Sequence, residues 1–396
     1  MNWKRRLLET IVWSIAQATP RLTTVPAQPE SILVLRNNDL GDVLVITPLF
    51  AALRQRFPNA QIVAAVGKWS KDILQGNPHI DRVMPVTAPW YNKFTADQSL
   101  AAIWRYLFTD HELKQIKQQN FTIGIDIFGS QFGSLFMLRA GIPYRLGVKG
   151  FAGGHTATQQ SVNYNPWEQV GRSALRFAEL LGASEIPEAR PQLFLTSSEQ
   201  QAGQQIWADL EAKFNQGGDR NDPLPSSASD QVSQSKIKRI VISPGAGFVE
   251  KAWPLNHYVE LVKILSASNQ TQEQAQALQI LIVGGKGDRI AGDQIAAVAD
   301  QVVNLAGDLA LRETFALVSH SDLVVCNSSM LMHVAAAFSI ANVVLLGDFF
   351  PSAKQHAAQW GYAKTCWVYG KETDDRNDIY NPVEVAAIVT GLLEVC

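Results

Sequence analysis

The chain has 396 residues, enough for two or three domains at about 100–200 residues each. Hydrophobic residues make up 46% and charged residues 18%, so each half can bury a full core. A formal net charge of -2 excludes the broad basic face that sequence-independent nucleic-acid binding needs, but not a local basic pocket for an anionic substrate. The three cysteines, Cys326, Cys366 and Cys396, show no paired metal-ligand spacing. An odd count suits a reducing compartment better than a disulfide scaffold.

Residues 1–30 precede the first strand pattern. Lys4, Arg5 and Arg6 lead into a mixed stretch from Leu7 to Ala18. It is short for a secretory leader, and Glu9 interrupts it. Read as a helix, it places Trp3, Leu7, Leu8, Ile11, Val12 and Ile15 on one face. A basic amphipathic helix of this kind can lie on an anionic membrane surface, or it can pack on its own domain. No stretch reaches the roughly 20 apolar residues of a spanning helix.

Ser31–Leu35 is a short apolar run, followed by a polar turn from Arg36 to Asp42 and a helical pattern from Val43 to Phe57. Further apolar runs cover Ile62–Val66, Arg82–Val86 and Ile123–Phe128. The alternation of strands with helical crossovers predicts a parallel sheet over residues 31–215. The segment from Pro89 to Tyr106 carries Trp90, Tyr91, Phe94, Trp104 and Tyr106. These rings can hold a sugar or lipid, or can face the core. Residues 216–236 are rich in Gly, Asp, Ser and Gln and read as a linker or surface insertion.

The alternation restarts in residues 237–396. Strands are predicted at Ile240–Ser243, Ile280–Val283, Leu323–Cys326 and Val343–Leu346, with helices at Asn256–Ala267, Leu311–Ser319 and Met332–Phe338. The expected fold is α/β: two Rossmann-like halves, each a parallel sheet with helices on both faces. A ligand cleft is expected between them, at the carboxyl ends of the strands.

Four turns carry candidate chemistry. In Asn38-Asp39-Leu40-Gly41-Asp42-Val43, Gly41 lets backbone approach a ligand, and Asp42 stands at the mouth of the first helix. A carboxylate there can act as a general base, or it can cap the helix; Asp39 is a second cap candidate. In Pro244-Gly245-Ala246-Gly247 followed by Lys251-Ala252-Trp253-Pro254, the Gly245 turn exposes N–H groups to an anion and Lys251 adds a mobile charge. The turn lacks the Lys-Ser/Thr ending of a P-loop. In Gly284-Gly285-Lys286-Gly287-Asp288, Asp288 can accept ribose hydroxyls or cap a helix. In Asn327-Ser328-Ser329-Met330-Leu331-Met332-His333, Ser328, Ser329 and a helix N-terminus can hold a phosphate; a lone His333 is more often structural.

In this order, these turns resemble glycosyltransferase family nine, the heptosyltransferase family of lipopolysaccharide assembly. The resemblance runs from about Ser31 to the C-terminus. It is carried by Leu40-Gly41-Asp42-Val43 with Thr47-Pro48-Leu49, Asp126-Ile127-Phe128-Gly129, Pro244-Gly245-Ala246 with Lys251-Ala252-Trp253-Pro254, Leu305-Ala306-Gly307, and Asn327 through His333. It implies a GT-B fold of two facing Rossmann domains, with acceptor on the first and donor on the second. It implies an inverting enzyme that needs no metal or other cofactor, with an ADP-heptose-like nucleotide diphosphate sugar as donor. The implied acceptor is a lipid-linked or cell-surface glycan, and the implied location is cytoplasmic, with peripheral contact at the inner membrane face open. By the same resemblance Asp42 matches the catalytic base, Lys251 the donor-phosphate lysine, Asp288 a ribose contact, and Ser329 and His333 the diphosphate loop. The family loop normally reads Asn-Asp-Ser/Thr-Gly before the His; here Ser328 and Met330 stand at the Asp and Gly positions. That departure keeps a second reading open, a non-catalytic nucleotide-sugar or glycan-binding relative. A nucleotide-dependent oxidoreductase fits less well, because no Gly-x-Gly-x-x-Gly turn with a following acid is present.

Overall fold

The computed structural model describes residues 3–217, 237–271, 277–363, 365–370 and 381–395. The chain forms two compact units, Met1–Phe194 with Ala358–Trp360, and Leu195–Ala357 with Gly361–Cys396.

In the first unit the strands are β1 Ser31–Arg36, β2 Gln61–Val66, β3 Arg82–Pro85, β4 Ile123–Asp126, β5 Tyr144–Lys149 and β6 Gln160–Asn163. The helices are α1 Trp3–Ala18, α2 Leu40–Val45, α3 Thr47–Arg56, α4 Lys71–Leu74, α5 Leu100–Thr109, α6 His111–Lys117, α7 Gln131–Arg139 and α8 Val170–Leu180. All strand pairs are parallel, in the order β3-β2-β1-β4-β5-β6. That order reverses between β1 and β4, which is where a doubly wound sheet opens a crevice at its carboxyl edge. Every residue of β1 is buried, as expected for a central parallel strand covered on both faces. Leu33 and Leu35 pack with Ile103 and Leu107 of α5 and with Leu135, Phe136 and Met137 of α7. A fully buried aliphatic or aromatic side chain contributes roughly 1.5–3 kcal/mol, and the same layer takes in Val63 and Ala65 of β2 and Met84 of β3, so it pins α5 and α7 to this side of the sheet.

The helical pattern expected from Val43 to Phe57 is two helices. Pro48 has no N–H to give to the Leu44 carbonyl, so the helix cannot run through it. The Thr47 hydroxyl donates to Leu44 O instead, at 2.7 Å, and α3 starts afresh with Pro48 in its first turn. The structure also divides the single apolar face expected for α1. Val12 and Ala16 are buried, with Leu8 packed beside them, while Leu7, Ile11 and Ile15 are exposed. No helix among the described residues is long and apolar enough to cross a membrane.

In the second unit the strands are β7 Lys238–Ser243, β8 Leu278–Ile282, β9 Val302–Asn304, β10 Leu323–Asn327, β11 Ala341–Leu345 and β12 Cys366–Tyr369. The helices are α9 Ser197–Gly217, α10 Leu255–Thr271, α11 Arg289–Ala296, α12 Leu311–Ser319, α13 Met330–Ala337, α14 Ala353–Trp360 and α15 Pro382–Val395. The sheet order is β12-β11-β10-β7-β8-β9, again all parallel, with its reversal between β7 and β10. Residues 197–215, assigned to the first half on sequence, belong here. Trp207 of α9 is fully buried and donates from Nε1 to Leu317 O of α12 at 3.0 Å. Arg312 of α12 donates to Glu199 at 2.7 Å and holds that carboxyl down at about 2. The expected linker lies outside the described residues from 218 onward.

Candidate functional site

Asp42 and Gly41 sit in α2, directly after β1, at the crevice of the first unit. The N-cap of α2 is Asp39, not Asp42. Asp42 takes the third helical position, and its Oδ2 accepts the Asp39 N–H at 3.2 Å. Its Oδ1 accepts from Arg36 Nη2 at 2.7 Å. Arg36 is the last residue of β1, and its side chain is 7% exposed against 25% for Asp42. The carboxylate is therefore fixed on two sides while part of it stays open to solvent. That is what a positioned base needs, and a capping role alone does not require the arginine.

The sequence reading named no role for Asp126, the last residue of β4. Its partner in the register is Leu35 of β1, so it lies across the same crevice. Burial lifts its carboxyl to about 7, against the opposing pull of the Gly129, Ser130 and Phe128 backbone N–H groups and of Arg36. Ser130 N–H donates to Asp126 Oδ2 at 3.0 Å. A carboxyl raised in the fold from about 3.8 favours the native state when protonated, so its contribution is complete below about pH 4 and is lost as pH rises through about 7. Asp126→Asn keeps an acceptor for Ser130 and cannot ionise. Its melting temperature relative to wild type should therefore rise between pH 4.5 and 8. A constant difference across that range would mean that Asp126 stays ionised in the fold.

The other candidate residues gather in the second unit, on the carboxyl ends of β7, β8 and β10. The Gly245 and Asp288 turns meet directly. A Cβ on Gly245 would stand 2.6 Å from Asp288 Oδ1, so glycine is required there by close approach. Asp288 does not cap α11 with its side chain. Its Oδ2 accepts the Gly285 N–H at 2.8 Å, closing its own turn.

Lys251 ends a short 3-10 turn. Its Nζ lies 4.7, 5.1 and 5.6 Å from the ring centres of Phe248, Phe349 and Phe350. Rings at that distance attract an ammonium through their quadrupoles and limit where it can swing. Gly347 N–H donates to Lys251 O at 3.2 Å and Phe349 N–H to Glu250 O at 2.9 Å. A Cβ on Gly347 would fall 2.4 Å from Ala252 O, so the two loops dock only with glycine at that point.

Ser329 is the N-cap of α13, with no side-chain cap bond. Among the described residues its buried Oγ has no hydrogen-bond partner. An unpartnered hydroxyl beside a helix N-terminus suits a phosphate oxygen. Met330 opens α13 and is not among the described non-glycine residues with positive φ, which are Tyr91, Asn120 and Ser339. Placing a side chain at this position of the family loop therefore costs no backbone strain. Ser328, at the family's Asp position, shares a hydrogen bond with His356 Nε2 at 2.8 Å. His333 is buried, with Nδ1 2.6 Å from the Tyr362 hydroxyl, and burial lowers its pKa to about 3. It enters the site as a neutral imidazole, without a cation's charge.

Three residues here carry more than the sequence reading assigned. His356 is pushed down to about 3 by burial, with His333 and Lys251 adding to the effect, so Lys251 and the two imidazoles share one neighbourhood. Tyr362 orients His333. Asn327 is fully buried and acts as a hub. Its Oδ1 accepts from Trp253 N–H and from the Tyr258 hydroxyl, each at 2.9 Å, and its Nδ2 donates to Pro244 O at 2.6 Å. Both ends of the loop that bears Lys251 are thereby tied to the end of β10. A polar residue closing an apolar strand was the available signal for Asn327; nothing in local spacing pointed to His356 or Tyr362.

Comparison with known proteins bears on this geometry. The model of glycosyltransferase family 9 (heptosyltransferase) matches residues 111–377. The lipopolysaccharide heptosyltransferase 2 of Escherichia coli K12 is 25% identical over 338 residues, covering 82% of this chain and 86% of the relative. The crystal structure of a family 9 glycosyl transferase from Veillonella parvula aligns with a TM-score of 0.68 at 15% identity, over 95% of this chain and 100% of that one. The E. coli ADP-heptose lipopolysaccharide heptosyltransferase II aligns with a TM-score of 0.64 at 22% identity, over 92% and 99%. The structural likenesses show the shared GT-B fold, and the family model covers well over half of the sequence. The chain belongs to glycosyltransferase family 9 and is a glycosyltransferase.

Proposed function

We propose that the chain is an inverting, metal-independent heptosyltransferase that moves a heptose from an ADP-heptose-like donor to a lipopolysaccharide acceptor. The observation that carries this reading is the Asp42 carboxylate, held at the end of β1 by Arg36 and the Asp39 N–H yet still partly exposed. The relatives named above are heptosyltransferases of lipopolysaccharide, which supports the donor and acceptor classes.

In this reading the first unit takes the acceptor and the second the donor. Asp42 accepts the proton of an acceptor hydroxyl as its oxygen bonds to the anomeric carbon. The bond from that carbon to the diphosphate breaks, and its electron pair leaves with the nucleotide. A single displacement of this kind inverts the anomeric centre. Lys251, the Ser329 hydroxyl, Ser328 and the N-terminus of α13 hold the diphosphate and offset its growing charge. Gly41, Gly245 and Gly285 let backbone come close, His333 shapes the phosphate loop, and Asp288 takes the ribose through the oxygen that faces Gly245. Charge stabilisation in this scheme comes from protein groups, so no metal enters a step. The enzyme works on the cytoplasmic side of the membrane, and peripheral contact is supported by the exposed Leu7, Ile11 and Ile15 beside exposed Arg6.

The test is transfer by the purified chain from ADP-heptose to deacylated, truncated lipopolysaccharide, with and without EDTA, reading the product anomer by NMR. Expected are transfer that EDTA leaves unchanged and an anomer opposite to that of the donor. Loss of activity in EDTA, a retained anomer, or no transfer would each refute the corresponding part. In the same preparation the chain should co-sediment with vesicles containing phosphatidylglycerol; full recovery in the supernatant would remove the membrane contact.

A further inference from the structure

Two banks of aromatic rings flank the Arg36–Asp42 turn in the first unit. Tyr91 stacks on Phe128 with centroids 4.4 Å apart. Phe151 meets Phe128 edge-on at 5.2 Å, and Tyr164 lies 4.7 Å beyond Phe151. The Arg36 guanidinium lies 5.8 Å from the Phe128 ring centre, so this path begins at the partner of Asp42. On the second bank Trp69 stacks on Phe94 at 4.6 Å and donates from Nε1 to Asn38 O at 2.9 Å. By contrast, Trp90 and Tyr106 from the same aromatic stretch are buried in the core.

The path is not ordinary core. Tyr91 is 42% exposed, Phe151 39% and Tyr164 38%. Tyr91 also has a φ of 55°, a conformation that a bulky residue adopts at a cost. It is held there by Asn38 Nδ2, which donates to Tyr91 O at 2.6 Å. Polar capacity waits beside the rings. Among the described residues, the buried Asn38 Oδ1 and Arg36 Nε atoms have no hydrogen-bond partner.

We propose that Tyr91, Phe128, Phe151 and Tyr164 form a stacking platform for a pyranose ring of the acceptor, with Asn38 and Arg36 reading its hydroxyls. The assignment rests on the glycosyltransferase reading of Asp42. A pyranose presents C–H groups on its faces, which pack on aromatic rings, and hydroxyls at its rim, which satisfy Asn38 and Arg36. A lipid chain would cover the rings but leave those polar atoms unmatched, and it offers Asp42 no hydroxyl.

The experiment is saturation-transfer NMR with deacylated, truncated lipopolysaccharide and no donor, alongside transfer kinetics on the same samples. Tyr91→Gly removes the ring and relieves the positive φ, so the fold is spared. Tyr91→Phe keeps the stacking face, and Phe151→Leu keeps apolar bulk without one. In wild type and Tyr91→Phe, the ring protons of one sugar should be saturated. In Tyr91→Gly and Phe151→Leu that signal should fall, with the acceptor KM rising about tenfold and the donor KM unchanged. Equal glycan signals in all four proteins, no glycan signal in wild type, or full binding by Phe151→Leu would overturn the platform. Unchanged KM values with active transfer would remove the platform and leave the glycosyltransferase reading standing. Ring-dependent glycan binding without transfer from any donor would do the reverse.

Discussion

Asp42→Asn should lower sugar transfer by about 10²–10⁴-fold, the usual range for loss of a general base, while nucleotide diphosphate affinity stays within about twofold of wild type. The choice of asparagine matters. Arg36 is buried and donates to Asp42 Oδ1 at 2.7 Å. Truncation to alanine would take the Asp42 oxygen away from that guanidinium, and a hydrogen bond to a charged group is worth about 1.5–3 kcal/mol. A fall in rate could then reflect a collapsed turn. The amide oxygen of asparagine can still accept from Arg36, but it cannot take a proton at neutral pH. A capping contribution is worth only about 1 kcal/mol and would show in the melting temperature, not the rate. Initial rates at saturating donor, with melting curves and titration calorimetry on the same protein, separate the two roles. Transfer at the wild-type rate would reduce Asp42 to the counterion of Arg36.

The central strands were readable in the sequence because both their faces are covered, and the edge strand β3 was read as well although it is only partly buried. β1, with Ser-Ile-Leu-Val-Leu-Arg, and β10, with Leu-Val-Val-Cys-Asn, are unbroken apolar runs because helices lie above and below them. β5 escaped that reading because Arg145 interrupts it. The arginine is nonetheless buried, since Nε donates to Ala157 O at 2.7 Å and Nη1 to Ile142 O. Such compensation depends on carbonyls that local patterning does not reveal. The same limit applies to α9. Its spacing shows an apolar face but not which sheet receives it; Trp207 and Arg312 decide that across more than a hundred residues of chain. Of the candidate site, the turns were legible because glycine and aspartate have few reasons to follow a strand together. The groups that hold those turns were not. His356 reaches Ser328, and Tyr362 reaches His333, from a helix and a loop with no motif of their own.

Asn327 is the clearest of these hidden supports, and Asn327→Leu is expected to be the most destabilising single change at the donor side. Leucine has about the right volume, so the penalty comes from hydrogen bonding and not from a void. Three groups lose their partner at once: the Trp253 N–H, the Tyr258 hydroxyl and the Pro244 carbonyl. Trp253 and Tyr258 are both buried, so water cannot readily replace the lost acceptor. At about 1–3 kcal/mol per unsatisfied buried group, the total is about 3 kcal/mol or more, which lowers the melting temperature by about 10 °C for a domain of this size. Asn327→Asp isolates one of the three contacts. Its carboxylate can still accept from Trp253 and Tyr258, but it sets a charged oxygen against the Pro244 carbonyl where an amide donated before. It should fold at low pH and weaken as the pH rises, because burying the ionised form is the added cost. In Asn327→Leu the loop from Pro244 to Trp253 loses its ties to β10 at both ends, and in Asn327→Asp only at Pro244, so Lys251 is held less tightly, most of all in the leucine variant, and affinity for a nucleotide diphosphate should fall by more than the change in stability alone implies. Differential scanning calorimetry and nucleotide titration test the two effects separately. If Asn327→Leu melts within about 1 °C of wild type, the three bonds are replaceable, and the loop that carries Lys251 is held by its docking on Gly347 and Phe349 instead.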